Sequence, residues 1–275
     1  MAAGSRQTEI TRTREPAVAG LFYPAEPPRL RASVAALLAQ APTFAATAPK
    51  VLIAPHAGYI YSGGVAATAF ATLQSSAPAI KRVVLIGPAH YVATHGIVAA
   101  AANAFSTPLG RVPVDHDALT TVVDLPFVTQ DDTPHAPEHA LEVELPFLQA
   151  LLPAFAVVPL LAGDASPDEV AQVLDLLWGG PETVIVVSSD LSHYHDYETA
   201  RRLDAATAAA IECGEWRRLD GTCACGHIAV AGLLAAAARR RLEPRRLALC
   251  NSGDTAGSRD RVVGYGAWLV ESVPT

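Results

Sequence analysis

Four apolar runs of this chain each lead into residues that could do chemistry. VLIAP (51–55) runs into His56 within PHAGYIYSGG, and KRVVLIGP (81–88) into His90 within GPAHY. TVIVVSS (183–189) runs into Asp190 and His193 within SSDLSHYHDY, and RRLALCNSG (245–253) into Asp254. A single histidine after a strand is ordinarily a loop residue or a buried hydrogen-bonding group. Two histidines and two aspartates at equivalent strand ends argue for a shared site. The carboxyl edge of an open α/β sheet is where ligands bind. Two imidazoles and a carboxylate from separate elements suit a divalent first-row metal.

Other polar groups gather around these. On a helix over 137–152, Glu138 and Glu142 of EHALEVE would share a face, with His139 three residues from Glu142. One reading is a solvated helix face. The other puts His139 or Glu138 at the mouth of the site, as a supporting partner or a proton acceptor. Tyr59, Tyr61, Tyr91 and Tyr194 lie close in sequence to the candidate ligands. Ser62-Gly63-Gly64 would open a helix whose N-terminus can hold an anion. Cys225 precedes an Ala-rich helix, where it is either a buried structural thiol or a reactive one with a lowered pKa. His195 is a further pocket candidate, whereas His95, His116 and His135 read as surface residues. Neither GxGxxG after a strand nor GxxxxGK[ST] occurs, which disfavours dinucleotide and P-loop sites.

The elements that must position these groups alternate. Strands are expected at 51–55, 81–88, 95–101, 155–163, 183–190, 245–254 and 261–270, with a hairpin over 105–115. Helices are expected at 27–40, 62–74, 115–123, 137–152, 166–178, 198–212 and 226–242. Continuous apolar strands are covered on both faces. The expected fold is therefore α/β, one three-layer sandwich with a mainly parallel or mixed sheet and helices on both faces. It spans 16–275, after a disordered or loosely attached segment over 1–15. Of the 275 residues 51% are apolar and 17% charged, which excludes a disordered chain. No apolar run is long enough to span a bilayer. A net charge of -7 argues against nucleic acid as a partner. The four cysteines are too few and too irregularly spaced for a disulfide scaffold, and the N-terminus lacks a signal peptide's apolar core. Both point to a cytoplasmic protein.

Nine segments together resemble the Memo family, the protein B component of the AmmeMemoRadiSam set. They are REPAVAGLFYP (14–24), APHAGYIYSGG (54–64), IGPAHY (86–91), TPLGRVPVD (107–115), EHALEVELPFLQ (138–149), VPLLAGD (158–164), SSDLSHY (188–194), CGHIAVAGLL (225–234) and NSGDTAG (251–257) with VVGYGAW (262–268). The resemblance implies a fold like that of the class III extradiol (LigB-type) dioxygenases, which hold non-haem Fe(II) with two histidines and a carboxylate. His56 and His90 match the family's ligand histidines, and Asp190 and His193 match its pocket aspartate and histidine. The third ligand stays open between Asp254, His193 and none, because Thr255 falls where some relatives carry a cysteine ligand. The implied activity is a metal-dependent, dioxygenase-like oxidoreductase using Fe(II), or alternatively Cu or Zn, if a metal is held at all. The competing implication is a non-catalytic scaffold. Its pocket would bind a peptide, an anionic ligand, or radical-SAM and AMMECR-type partner proteins.

Overall fold

Valine, leucine and isoleucine fill the central strands because the sheet is covered on both faces. The computed structural model describes residues 12–43 and 48–272. Its strands are β1 (Thr13–Arg14), β2 (Val51–Ala54), β3 (Arg82–Pro88), β4 (Ile97–Ala99), β5 (Ala104–Thr107), β6 (Gly110–Pro113), β7 (Val128–Gln130), β8 (Ala156–Ala162), β9 (Thr183–Ser188), β10 (His193–His195), β11 (Leu242–Asn251) and β12 (Val262–Ser272). Its helices are α1 (Pro27–Gln40), α2 (Tyr59–Ala71), α3 (His116–Leu119), α4 (Leu145–Leu151), α5 (Pro167–Leu176), α6 (Tyr197–Glu212) and α7 (His227–Arg239).

The main sheet runs β10-β12-β2-β9-β3-β8-β4-β7, with β11 also paired to β12. Strands β2, β9, β3 and β8 are parallel, while β12 and β4 pair antiparallel with their neighbours β2 and β8. Every residue of β2 and β9 is buried. The architecture is a three-layer α/β sandwich with a mixed sheet, as expected. A small second sheet, β1-β5-β6, carries the 105–113 hairpin. No described helix is long and apolar enough to cross a membrane.

Three expectations change. The loose segment over 1–15 lies outside the described residues for 1–11, and over 12–15 it is corrected. Thr13–Arg14 pairs with β5, and Arg14 is buried against Glu142. The helix expected over 137–152 is a run of turns, then a 3₁₀ turn at Glu142–Glu144, then α4. Its acids do not form a solvated face: Glu138, Glu142 and Glu144 are 2%, 0% and 0% exposed. Glu138 and Glu142 turn inward because each has buried donors to accept from, and Glu144 turns inward against Ser188. Helix α2 starts at Tyr59, so Gly63 and Gly64 sit inside it and cradle no anion. A Cβ on Gly63 would lie 2.9 Å from Leu37 Cδ1, so this glycine lets α1 and α2 approach closely.

Candidate metal centre

Adjacent parallel strands bring their carboxyl ends to one edge, and here β2, β9 and β3 lie side by side. His56, Asp190 and His90 each stand two residues beyond the last residue of their strand. The sheet therefore converts three distant sequence positions into one row. His139, from the turn before α4, closes it. The nitrogen ligand atoms of His56, His90 and His139 all lie within 4.8 Å of one another. The His90 and His139 rings stack at 4.7 Å, and both meet His56 edge-on.

Hydrogen bonds decide which nitrogen of each ring is free. Glu138 accepts from His90 Nδ1 at 2.9 Å and from the backbone N–H groups of His90, His139 and Ala140. Burial alone would raise this carboxyl; the hydrogen bonds led by His90 outweigh it and hold it below the usual range. An ionised carboxylate only accepts, so His90 carries a proton on Nδ1, and Nε2 is the nitrogen left to face a ligand. His139 Nδ1 lies 3.3 Å from Glu138 Oε1, off hydrogen-bonding alignment, and is buried without a hydrogen-bond partner. His56 Nδ1 contacts Ser188 Oγ at 2.8 Å, and its Nε2 lies 3.3 Å from Cys225 Sγ. Burial first, then the neighbouring histidines, push His56 well below its ordinary value, so the ring is neutral. Three imidazoles with one nitrogen of each within 4.8 Å of the others, the His56 and His139 rings held neutral by burial, and a thiol alongside form a donor set that fits a divalent metal.

Asp190 sits behind His56, accepting from its backbone N–H at 2.9 Å. Burial raises its carboxyl to about 7. His193 donates from Nδ1 to the Leu191 carbonyl at 2.7 Å, leaving Nε2 as its acceptor. The cavity over this row has a volume of about 980 Å³.

The family model described as Memo-like protein matches residues 14–269. The chain belongs to the Memo family. A MEMO1 family protein of Aeropyrum pernix is 36% identical, with 92% of this chain and 98% of that protein covered. Those of Thermotoga neapolitana and Aquifex aeolicus are 34% and 32% identical, each with 92% of this chain and 97% of the relative covered.

The Memo pocket gathers His56, His90, His139, Asp190, His193, His195, Tyr61, Tyr91, Tyr194 and Cys225 along its lining. It leaves out others. Asp254, one of the candidates for the third ligand, is not in the lining: its carboxylate accepts from the Tyr197 hydroxyl and the Asn251 N–H, in a 3₁₀ turn of which only Ser252 lines the pocket. Thr255 is equally outside, its hydroxyl donating to the Ser252 carbonyl at 3.1 Å. The pocket's cysteine is Cys225, carried in from another loop. A Cβ on Gly226 would lie 2.7 Å from the Ser188 carbonyl, so only glycine lets that loop close on the end of β9. Of the two readings of Cys225, burial and the charge of Asp190, which push its thiol up, favour the buried structural one. Tyr59 is a core residue whose hydroxyl donates to the Val143 carbonyl at 2.7 Å. Glu138 stands behind the ligands, not at the mouth. His135, read as a surface residue, is buried and donates from Nε2 to the Val98 carbonyl at 3.1 Å.

Several Memo-pocket residues carried no signal in their local sequence. Leu21 and Phe22 reach the pocket from the N-terminal loop, Ile60 from α2, and Arg261, Val263 and Tyr265 from β12 and the residue before it. Tyr194 adopts φ 63°, a left-handed conformation uncommon for an aromatic residue, and Arg261 lies 5.0 Å over its ring.

Proposed function

We propose that this pocket binds one divalent first-row metal through His56 and His90, with His139 or the Cys225 thiol completing the set. The protein would then act as a metal-dependent oxidoreductase on a small anionic, partly apolar substrate. Iron is the first metal to test, with copper and zinc as alternatives. The observation that carries the reading is the histidine triad, one nitrogen of each ring lying within 4.8 Å of the others at the carboxyl edge of the sheet. Bound there, such an ion supplies Lewis-acid activation of a substrate oxygen and lowers the pKa of water.

The chain's own residues supply the rest. Asp190, with its carboxyl raised to about 7, can hold or release a proton near neutral pH. His193 Nε2 is a second acceptor inside the same cavity. Leu21, Ile60, Tyr91 and Tyr194 are exposed apolar side chains, and all four line this cavity. Arg261 stands among them with its guanidinium over a ring and, among the described residues, no carboxylate partner. An apolar rim with one unpaired cation favours a ligand that has an apolar body and an anionic group.

Anaerobic Fe(II) loading followed by elemental analysis tests the reading. Wild type should retain close to one metal per chain, and His56→Ala and His90→Ala should lose it. Unchanged metal content in both variants would overturn it. The same apolar rim favours a second reading, a non-catalytic site that docks a peptide or a radical-SAM or AMMECR-type partner. Partner binding that survives metal removal but not a Tyr91→Ala change would favour this second reading.

A further inference from the structure

One hydroxyl behind His56 is crowded by three polar atoms. Ser188 Oγ lies 2.7 Å from the Ala140 carbonyl oxygen, 3.0 Å from Glu144 Oε1 and 2.8 Å from His56 Nδ1. Ser188 and Glu144 have no exposed surface, and His56 is 1% exposed. A hydroxyl has one proton to give and two lone pairs to receive on. The Ala140 carbonyl can only accept, and two oxygens 2.7 Å apart need a proton between them. The Ser188 proton therefore goes to Ala140. The other two contacts then need donors on their far side: an Nδ1–H on His56 and an acid proton on Glu144. A separate observation agrees. Glu144 Oε2 is buried without a hydrogen-bond partner among the described residues. Leaving an ionised carboxylate oxygen dry and unpaired is far costlier than leaving the carbonyl oxygen of a neutral acid.

We propose that Glu144 is a neutral carboxylic acid that donates to Ser188. The Ser188–Glu144 pair is a positioning device that holds His56 as its Nδ1–H tautomer, with the Nε2 lone pair turned to the pocket. Burial above all, with Asp190 nearby, pushes the Glu144 carboxyl well above its usual range, in the same direction. His56 and His90 thus reach the same tautomer by opposite means. His90 is held by an ionised carboxylate directly, and His56 by a neutral acid through a hydroxyl. Only one of the two supporting glutamates brings a negative charge behind the ligands. The consequence for metal affinity rests on the metal-binding reading above; the protonation states do not.

The test begins on metal-free protein at neutral pH. The infrared difference between wild type and Glu144→Gln should show a protonated-carboxyl stretch that the variant lacks. Nitrogen-15 NMR of histidine-labelled wild type should show His56 protonated at Nδ1. The side-chain amide that this substitution introduces can donate where the acid proton did. Glu144→Gln should therefore keep the tautomer and bind Zn²⁺, measured by chelator competition, within about threefold of wild type. Ser188→Ala removes the acceptor, so it should mix the tautomers and weaken Zn²⁺ binding by roughly 10–100-fold. Absence of the acid stretch, or an Nε2–H tautomer in wild type, would overturn the proposal, and neither measurement depends on a variant of Ser188 folding. So would a Glu144→Gln protein as impaired as Ser188→Ala. A wild type that takes up no Zn²⁺ would sink the metal-binding reading instead, with the infrared and NMR results still deciding this one.

Discussion

Which nitrogen of an imidazole carries its proton is set by a single neighbour. Glu138 makes that choice for His90 and Ser188 for His56, and neither partner adjoins its histidine in sequence. The candidates His56, His90 and Asp190 were legible because each follows an apolar run directly. Ser188 sits in plain view in SSD, but nothing local says that its hydroxyl faces a histidine 132 residues away. His135 was misread for a related reason: a polar residue in a loop looks exposed until the packing around it is known. Its burial has a consequence that pH can read. Burial pushes His135 from 6.5 down to about 4. Between those values the unfolded chain binds more protons than the folded one. Stability from this group is therefore complete above the unfolded value and falls as pH drops from 6.5 toward about 4. At pH 5 the loss should be ~2 kcal/mol. Urea melts of metal-free wild type and His135→Phe at pH 7.5 and pH 5 check this. Wild type should lose about 2 kcal/mol more than the variant between the two conditions, and equal losses would place the pH sensitivity elsewhere.

At the scale of elements, what was readable is what is closed within a few residues. SPDEV announced the start of α5, and there Ser166 and Glu169 exchange hydrogen bonds in a capping box. Replacing Ser166 with Ala should cost about 1 kcal/mol, seen as a shift in the urea midpoint with unchanged slope. An effect near zero would mean that tertiary contacts alone hold that end of the helix. The 137–152 segment shows the opposite case. Its spacing is helical, yet Glu138 accepts from three backbone N–H groups and Glu142 from Arg14, Tyr23 and two more backbone N–H groups. Those bonds fix the backbone in turns, and they override a propensity worth only tenths of a kcal/mol per residue. Asp254 was misplaced in a similar way. β11 ends at Asn251, and the Ser252–Asp254 turn that follows spends the carboxylate on the Asn251 N–H and the Tyr197 hydroxyl.

At the scale of the whole molecule, the N-terminal segment is a structural member of the site. Arg14 pairs with Glu142 and donates to the backbone carbonyls of Glu138 and His135. Ala17, Val18 and Tyr23 donate to the same Glu142. This buried cluster ties residues 14–23 to the loop that bears Glu138 and His139, and it seats Phe22 edge-on against His139 at 4.9 Å. Removing one partner of such a pair leaves the other charge buried and uncompensated. Arg14→Ala should therefore cost about 3–5 kcal/mol in urea denaturation at neutral pH. A loss below about 1 kcal/mol, the range of an exposed ion pair, would refute the buried-pair account.

The amino-acid sequence by itself determined the alternation of strands and helices, the mixed three-layer class and the strand-end positions of His56, His90 and Asp190. Those follow from periodicity, turn chemistry and capping, all of which act over a few residues. Only the tertiary structure decided that His139 and Cys225 join that row and Asp254 does not, which way each candidate ligand points, and what stands behind it. Side-chain direction and protonation in a buried site depend on donors and acceptors brought from distant parts of the chain. Arg14 reaches Glu142 across 128 residues, and Cys225 reaches His56 across 169. Spacing along the chain carries no record of such pairs, because the sheet brings them together only once it has formed.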